Sequence, residues 1–235
     1  MSNLALTTIL DPCYSRQWRS CCKLWTASLL RHQWEGRIHI ERNFSQLLFP
    51  VSRTDLHEVE FVPNLGGAQT KEVNWMTLAR EHQLEAAGMM AGAEAFEWIL
   101  FADADCVATQ NVDHLFVGDC DLLVSSARGL PDPGFVAVRG ELMQKFVSSL
   151  RFAGGLTGSG LATIMKSGEW KVREYERGEV LRPDDPDVSL SDLANAAVIH
   201  FSGMKAADKY RLAFAFHMMA VYGDRDGLFF DMIEA

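Results

Sequence analysis

The sequence feature that most constrains the fold is a continuous apolar run, Trp98-Ile-Leu-Phe-Ala102, which ends directly at Asp103. A run of this kind, without alternating polar residues, is typical of a β-strand that is buried on both faces. Such strands belong to mostly parallel sheets that carry helices on both sides. The run therefore predicts an α/β fold in which this segment is an internal strand.

The rest of the chain alternates between strand-like and helix-like patterns, as an α/β fold requires. Further strands are predicted at Leu4–Leu10, Arg37–Ile40, Glu58–Val62, Asp121–Ser125, Phe135–Val138 and Ala197–Phe201. Helices are predicted at Trp18–Leu29, Trp75–Ala86, Glu141–Leu150, Leu161–Lys166 and Ala206–Tyr222. No internal repeat or low-complexity linker occurs, so residues 1–235 are predicted to form a single domain.

Charge and cysteine usage exclude several classes of function. The formal net charge is -9, which argues against non-specific binding to nucleic acid. An anionic substrate would therefore need a local cation, such as a bound metal. The cysteines contain no CxxC pair, so their spacing supports neither a zinc site nor a disulfide framework. They are Cys13, Cys21, Cys22, Cys106 and Cys120.

Free thiols favour a reducing compartment. Met1-Ser-Asn-Leu4 has no basic segment followed by an apolar core, so no secretory signal is expected. No stretch approaches the roughly 18 apolar residues of a membrane span, so none is expected. These observations predict a cytoplasmic protein. The apolar Leu228-Phe-Phe230 can pack on the domain or on a second subunit, which leaves a homo-oligomer open.

Two carboxylates, Asp103 and Asp105, stand just past the carboxyl end of the predicted internal strand. Ligands of open α/β sheets bind at that edge. Two carboxylates one residue apart in a turn can face one cation, and hard oxygen ligands suit Mg²⁺ or Mn²⁺. Such a metal can neutralise a diphosphate leaving group. The pair therefore predicts a metal-diphosphate site.

The segment from Trp98 to Phe116, with its D-x-D triplet and Asn111-Val-Asp-His-Leu-Phe116, resembles the core motif of the family 8 glycosyltransferases. These enzymes are of the glycogenin and galactosyltransferase type. The resemblance implies a GT-A, Rossmann-like domain with a mostly parallel mixed sheet. It also implies transfer of a sugar from a UDP-sugar, with retention, to an acceptor that the sequence does not identify. Asp103 and Asp105 are then catalytic metal ligands, and Ala104 lies at the nucleotide.

A second segment, Val198-Ile-His-Phe-Ser-Gly-Met-Lys205, resembles the H-F-x-G-x-x-K motif of the same family. The resemblance implies His200 as the third protein ligand of Mn²⁺ or Mg²⁺, and Gly203 and Lys205 as diphosphate contacts. A neutral imidazole is a good ligand for Mn²⁺. The spacing before Lys205 is one residue shorter than in the family, so Lys209 is an alternative phosphate contact.

Two further positions match the nucleotide-binding part of the family. Leu6-Thr-Thr8 followed by Tyr14 resembles its first strand and nucleotide loop, which implies uridine contacts for Thr7, Thr8 and Tyr14. Arg80, on the helix before the metal strand, matches an arginine that reaches the diphosphate or the Asp pair. The alternative interpretations are an ordinary strand-turn-helix junction and a solvated charge.

The sugar-binding part departs from the family. Asp132-Pro-Gly134 stands where the family has N-x-G, and the family's D-Q pair is missing from Gly154–Leu161. Asp132, Gly134, Ser159 and Thr163 are the predicted sugar contacts. Two alternatives follow. One is a nucleotide- or partner-binding pseudoenzyme. The other is a haloacid-dehalogenase-type phosphatase with Asp103 as nucleophile, for which the acidic pair Asp184-Asp185 is poorly placed.

Overall fold

The computed structural model describes residues 5–10, 25–26, 28–30, 32–34, 36–41, 75–93, 95–127, 129–183 and 188–201. Its strands are β1 (Ala5–Leu10), β2 (Arg37–Glu41), β3 (Trp98–Asp103), β4 (Cys106–Ala108), β5 (Leu122–Ala127), β6 (Leu130–Arg139), β7 (Val172–Glu174), β8 (Val180–Leu181) and β9 (Val198–His200). Its α-helices are α1 (Trp75–Ala93), α2 (Met143–Ala153), α3 (Gly158–Lys166) and α4 (Leu190–Asn195). Short 3₁₀ turns cover Asp113–Leu115 and Gly140–Leu142.

Six strands form a central mixed sheet in the order β2-β1-β3-β6-β5-β7. β1 is parallel to both β2 and β3, and β5 is parallel to β7, whereas β6 runs antiparallel to β3 and β5. A second sheet of three short strands has the order β4-β9-β8. The predicted mixed α/β architecture is therefore confirmed.

β3 is an internal strand whose side chains alternate between two buried layers. Trp98, Leu100 and Ala102 join a core that also includes residues of β4 and β9. Ile99 and Phe101 face the opposite core, which α1, α2 and α3 complete. Burial on both faces explains why the run from Trp98 to Ala102 contains no polar residue.

The helices on one side of the sheet have recognisable ends. α2 ends at Gly154, whose φ of +95° lies in the left-handed region that favours glycine. α3 begins after Thr157, whose Oγ1 accepts a hydrogen bond from the Gly160 amide at 3.0 Å. α2 continues three residues past the predicted end at Leu150, and α3 begins three residues before the predicted start at Leu161, because Gly158-Ser-Gly160 carry no apolar pattern.

Two predicted elements, the strand Glu58–Val62 and the helix Ala206–Tyr222, lie outside the described residues. Of the predicted helix Trp18–Leu29, the structure describes helical residues at 25–26 and 28–29, and Leu30 just beyond it is also helical. Cys106 and Cys120 are buried thiols outside any disulfide, as expected. None of the helices in the described part of the chain is both long and apolar enough to cross a membrane.

Candidate metal and donor site

The carboxylate pair lies where β3 leaves the central sheet. Asp103 is the last residue of β3, and Ala104 and Asp105 form the turn that leads into β4. β4 pairs antiparallel with β9, and Cys106 is directly opposite His200. The Phe201 amide donates a hydrogen bond to the Asp105 carbonyl oxygen at 2.9 Å. This pairing brings His200 beside the two aspartates.

Three carboxylates surround the His200 imidazole. Its Nε2 lies 3.4 Å from Asp105 Oδ1 and 3.9 Å from Asp103 Oδ2. Its Nδ1 lies 2.9 Å from Asp132 Oδ2. We call these four residues the acidic cluster. His200 is fully buried, and Asp105 and Asp132 are 2% and 5% exposed, whereas the Asp103 side chain is 15% exposed and is the accessible side of the cluster.

Arginines flank the acidic cluster on two sides. Arg80 Nη2 donates to both oxygens of Asp103, at 2.8 and 3.1 Å. Arg182 Nη1 lies 3.7 Å from Asp132 Oδ2, and both of these side chains are less than a tenth exposed. Buried carboxylates need such partners, because an unpaired buried charge is strongly destabilising.

The carboxylates change the proton affinity of His200. Burial alone would lower its pKa, but Asp132 and Asp105 outweigh that effect and raise the pKa to about 10. Burial alone would raise the pKa of Asp132. His200, the Gly134 amide and Arg182 outweigh burial, so the pKa of Asp132 is lowered below its ordinary value. Without a metal, the His200 imidazole is therefore in its charged form, with a proton on each ring nitrogen, because two carboxylates stabilise that form.

The donor set fits a hard divalent cation. Adjacent ligands of an octahedral ion with bonds of about 2.1 Å are about 3 Å apart. His200 Nε2 lies 3.4 Å from Asp105 Oδ1, near this spacing, and 3.9 Å from Asp103 Oδ2, which would have to move closer to share the ion. Gly134 leaves room for this arrangement. A Cβ at that position would lie 2.5 Å from Asp103 Oδ2 and 2.6 Å from His200 Cε1.

Asp105, Cys106 and His200 also form a group whose potential ligand atoms all lie within 4.8 Å of one another. Cys106 joins this group because it pairs directly with His200 on the neighbouring strand. The position of Cys106 beside the predicted metal ligands was not anticipated from the sequence, and neither were the contacts of Asp132 and Arg182.

The remaining predicted site residues differ in where they lie. Arg80 reaches Asp103, and Ala104 is buried in the turn. Thr7 and Thr8 lie in β1, which runs alongside β3 so that Leu10 is level with Asp103. The predicted contacts at Tyr14, Gly203, Lys205 and Lys209 lie outside the described residues.

The predicted sugar contacts on α3 lie in the glycine-rich segment, Gly154–Leu161, and just after it. Thr163 Oγ1 donates to the Ser159 carbonyl oxygen at 2.9 Å, and the Ser159 hydroxyl lies 3.2 Å from Thr157 Oγ1. Both side chains are exposed. These hydrogen bonds lie within α3 and its N-cap, so a sugar would have to compete for them.

Solved structures with the same fold are glycosyltransferases. One is a glycosyltransferase involved in the glycosylation of the major capsid of PBCV-1, with a TM-score of 0.58, 10% identity, and coverage of 90% of this chain and 98% of that one. Another is the bifunctional glycosyltransferase WbbM in its apo form, with a TM-score of 0.53, 11% identity and coverage of 94% of this chain. A third is GlyE of Streptococcus pneumoniae, with a TM-score of 0.54, 12% identity and coverage of 99%.

The chain spans 51% of the WbbM chain and 63% of the GlyE chain. No protein-family model matches the sequence. No curated protein sequence matches it either. At these identities the likeness concerns the fold, which is the GT-A fold of glycosyltransferases, as predicted. Membership of family 8 stays a prediction from the motifs.

Proposed function

We propose that the protein transfers a sugar from a UDP-sugar to an acceptor, with Mn²⁺ or Mg²⁺ at the donor diphosphate and with retention of anomeric configuration. The observation that carries this proposal is the convergence of Asp103, Asp105 and His200 at the carboxyl end of β3, within a GT-A fold. Ligands of open α/β sheets bind at that edge.

Asp103, Asp105 and His200 would hold the metal through two carboxylate oxygens and Nε2. When bound, the metal neutralises the negative charge that develops on the departing diphosphate. Arg80 keeps the Asp103 carboxylate in place by donating to both of its oxygens. Its cationic group lies at the same edge, where it also offers charge to a phosphate.

The nucleotide would lie along the edge formed by β1 and β3. Thr7 and Thr8 precede the end of β1 by three and two residues, and β1 ends level with Asp103. The chain therefore leaves β1 at Leu10, beside Asp103, and Tyr14 follows four residues later in the sequence. Uridine contacts from Thr7, Thr8 and Tyr14, and diphosphate contacts from Gly203 and Lys205, are part of the proposal.

The chemistry of transfer follows from the resemblance to the retaining family 8 enzymes. Among the described residues, no carboxylate is assigned as a nucleophile. The resemblance implies that the acceptor attacks from the face that the leaving group departs, through an oxocarbenium-like state, with the leaving phosphate accepting the proton. The proposal does not specify the acceptor. A single domain over residues 1–235 and a cytoplasmic location stay predictions from the sequence.

The test is calorimetric titration of UDP in the presence of Mn²⁺ into wild type, Asp103→Asn and Asp105→Asn. These substitutions preserve size but remove ligand charge, so we expect metal-dependent UDP affinity to be lost. Asp119→Asn is the matched control, because Asp119 is an exposed carboxylate that pairs with Lys171 at 3.0 Å. Equal UDP affinities in all four proteins would sink the metal-site assignment.

A pseudoenzyme that binds nucleotide or a partner without turnover is the second candidate. The observation in its favour is that Ser159 and Thr163, the hydroxyls in place of the family's D-Q pair, bond within α3. UDP release from a panel of UDP-sugars without acceptor separates the two. Release indicates a transferase, and binding without release indicates a pseudoenzyme.

The phosphatase alternative gains no support. Its acidic pair, Asp184-Asp185, lies outside the described residues, and the fold is that of GT-A glycosyltransferases. Hydrolysis of a generic phosphate ester with a burst would be needed to revive it.

A further inference from the structure

The strand that carries Asp132 is irregular at the acidic cluster. Val136 of β6 pairs with Val124 of β5, but the next residue of β5, Ser125, pairs with Asp132. Three residues of β6, 133–135, are therefore extra on that side of the ladder. Ser125 Oγ donates to the Phe135 carbonyl oxygen at 3.1 Å, which fixes the bulge. Bulges redirect side chains and are frequent beside active sites.

The bulge turns Asp132 towards the protein interior, where Oδ1 accepts a hydrogen bond and Oδ2 lies within ion-pair distance of two side chains. Oδ1 accepts a hydrogen bond from the Gly134 amide at 2.9 Å. Oδ2 lies 2.9 Å from His200 Nδ1 and 3.7 Å from Arg182 Nη1. The side chain of Asp132 is only 6% exposed. Its contacts are thus those of a group that holds neighbouring side chains.

The contact between His200 Nδ1 and Asp132 determines which ring nitrogen is available to a metal. An imidazole has two nitrogens, and a carboxylate on one of them fixes both the tautomer and the ring orientation. With Nδ1 directed to Asp132, Nε2 is the nitrogen that faces Asp103 and Asp105. Histidines that ligate metals commonly have such a carboxylate partner.

We propose that Asp132 is a positioning residue that orients His200 for the metal, and that Arg182 helps to hold the Asp132 carboxylate in place. This proposal rests on the metal centre of the proposed function. It gives Asp132 a role at the metal ligand in addition to, or in place of, the predicted sugar contact. The arrangement is a chain of three side chains, Arg182, Asp132 and His200, that ends at the cation.

The test measures Mn²⁺ binding without nucleotide, by the electron paramagnetic resonance signal of free Mn²⁺. We expect Asp132→Asn to weaken Mn²⁺ affinity by about 10- to 100-fold, as loss of such outer partners does. Glu179→Gln is the matched control, because Glu179 is a partly buried carboxylate paired with Arg173 at 2.8 Å. It should keep wild-type Mn²⁺ affinity even where it lowers stability.

Two further measurements keep the proposal falsifiable if Asp132→Asn folds poorly. Arg182→Gln leaves Asp132 and His200 in place and should weaken Mn²⁺ binding by a smaller factor. In metal-free protein labelled with ¹⁵N-histidine, we expect a protected His200 Nδ1–H resonance, assigned with His200→Gln. That Nδ1–H signal should vanish in Asp132→Asn. If Asp132 had a purely structural role, the folded Asp132→Asn variant would keep wild-type Mn²⁺ affinity.

Wild-type Mn²⁺ affinity in folded Asp132→Asn would overturn the positioning role, and so would an absent Nδ1–H signal in wild type. If wild type binds no Mn²⁺, the metal centre and this proposal fail together. UDP release from the UDP-sugar panel is measured separately. A positive panel with unchanged Asp132→Asn therefore rejects the positioning role and keeps the transferase.

Discussion

The acidic cluster and the glycine-rich segment lie against the same strand, β6, and are built in opposite ways. The cluster buries charged groups and holds them with two arginines and a bulge. The glycine-rich segment has no charged side chain, and its hydroxyls bond within α3. A Cβ added at Gly158 would lie 3.0 Å from the Pro131 carbonyl oxygen. α3 therefore begins beside the residue that precedes Asp132.

This difference teaches that the two halves of a donor site can be separately constrained. Binding a metal diphosphate needs preorganised charge, and under the proposed function the acidic cluster would supply it by holding the metal. Recognising a sugar needs directed hydrogen-bonding groups, and here the predicted ones are exposed hydroxyls on a helix. We therefore expect firm binding of the diphosphate and weak discrimination among donor sugars.

The largest expected effect comes from replacing a glycine with alanine, and it should differ between the acidic cluster and the glycine-rich segment. Gly134→Ala places a Cβ against Asp103 Oδ2 and His200 Cε1, so both ligands must move. We expect loss of Mn²⁺ affinity by about 100-fold or more. The overpacking should also cost about 1–3 kcal/mol of unfolding free energy. Paramagnetic resonance and urea unfolding measure the two effects.

Gly160→Ala is the counterpart in the glycine-rich segment, since its Cβ would overlap the Gly155 carbonyl oxygen. It should lose a similar unfolding free energy and keep Mn²⁺ affinity. Gly92→Ala, in α1 with no atom within 4 Å of the added Cβ, should be neutral or gain about 0.5–1 kcal/mol. Loss of Mn²⁺ binding in Gly160→Ala would break the distinction between the regions.

The second prediction concerns pH, to which only the acidic cluster should respond. The folded-state pKa of His200, about 10, lies above its ordinary value of 6.5. Its protonated form therefore stabilises the metal-free fold fully below pH 6.5, and this contribution is lost as the pH rises towards 10. Urea unfolding of metal-free protein should show that decline, and His200→Gln should remove it.

Metal binding must displace the Nε2 proton, so Mn²⁺ affinity should rise with pH over the same interval. Calorimetry in buffers of different ionisation enthalpy would detect the released proton. An affinity independent of pH would argue that His200 is not a ligand.

A third, smaller effect lies at the start of α3. Thr157→Ala removes the hydroxyl that accepts from the Gly160 amide, and loss of such a cap costs about 1 kcal/mol. Thermal or urea unfolding should register the loss, while Mn²⁺ affinity and the pH response stay at wild-type values. A changed Mn²⁺ affinity would mean that the two regions are coupled through β6.

The smallest effect on stability is expected from Ser159→Ala and Thr163→Ala. Both side chains are exposed, so unfolding free energy should change by no more than about 0.5 kcal/mol. If the hydroxyls contact the donor sugar, KM for UDP release should rise about fivefold, the equivalent of a hydrogen bond of about 1 kcal/mol. An unchanged KM in both variants would withdraw them from the sugar site.

The elements with an uninterrupted pattern were predicted closely from the sequence. β3 was expected at Trp98–Ala102 and covers Trp98–Asp103, and β9 was expected at Ala197–Phe201 and covers Val198–His200. Burial on both faces selects apolar residues throughout such strands, so the signal is local. The short strands β4, β7 and β8 were missed because two or three residues carry no periodicity.

β6 shows why the site itself was only partly predictable. It was expected at Phe135–Val138 but covers Leu130–Arg139, including Pro131, Pro133 and Gly134. These residues normally end strands, and here they accompany the bulge that aims Asp132. Asp103, Asp105 and Arg80 could be found from a local motif or helix position. The contact of Asp132 with His200 depends on a non-local register that the sequence does not display.

The pairing of Cys106 with His200 determines at what stage of folding the acidic cluster can assemble. His200 belongs to the last described strand, and only its pairing with β4 brings it to Asp103 and Asp105. Contacts between such distant parts of a chain form late, since their loop closure is costly. A chain still being synthesised has all the carboxylates before it has the imidazole. Under the proposed function, metal binding would therefore report that β4 and β9 have paired.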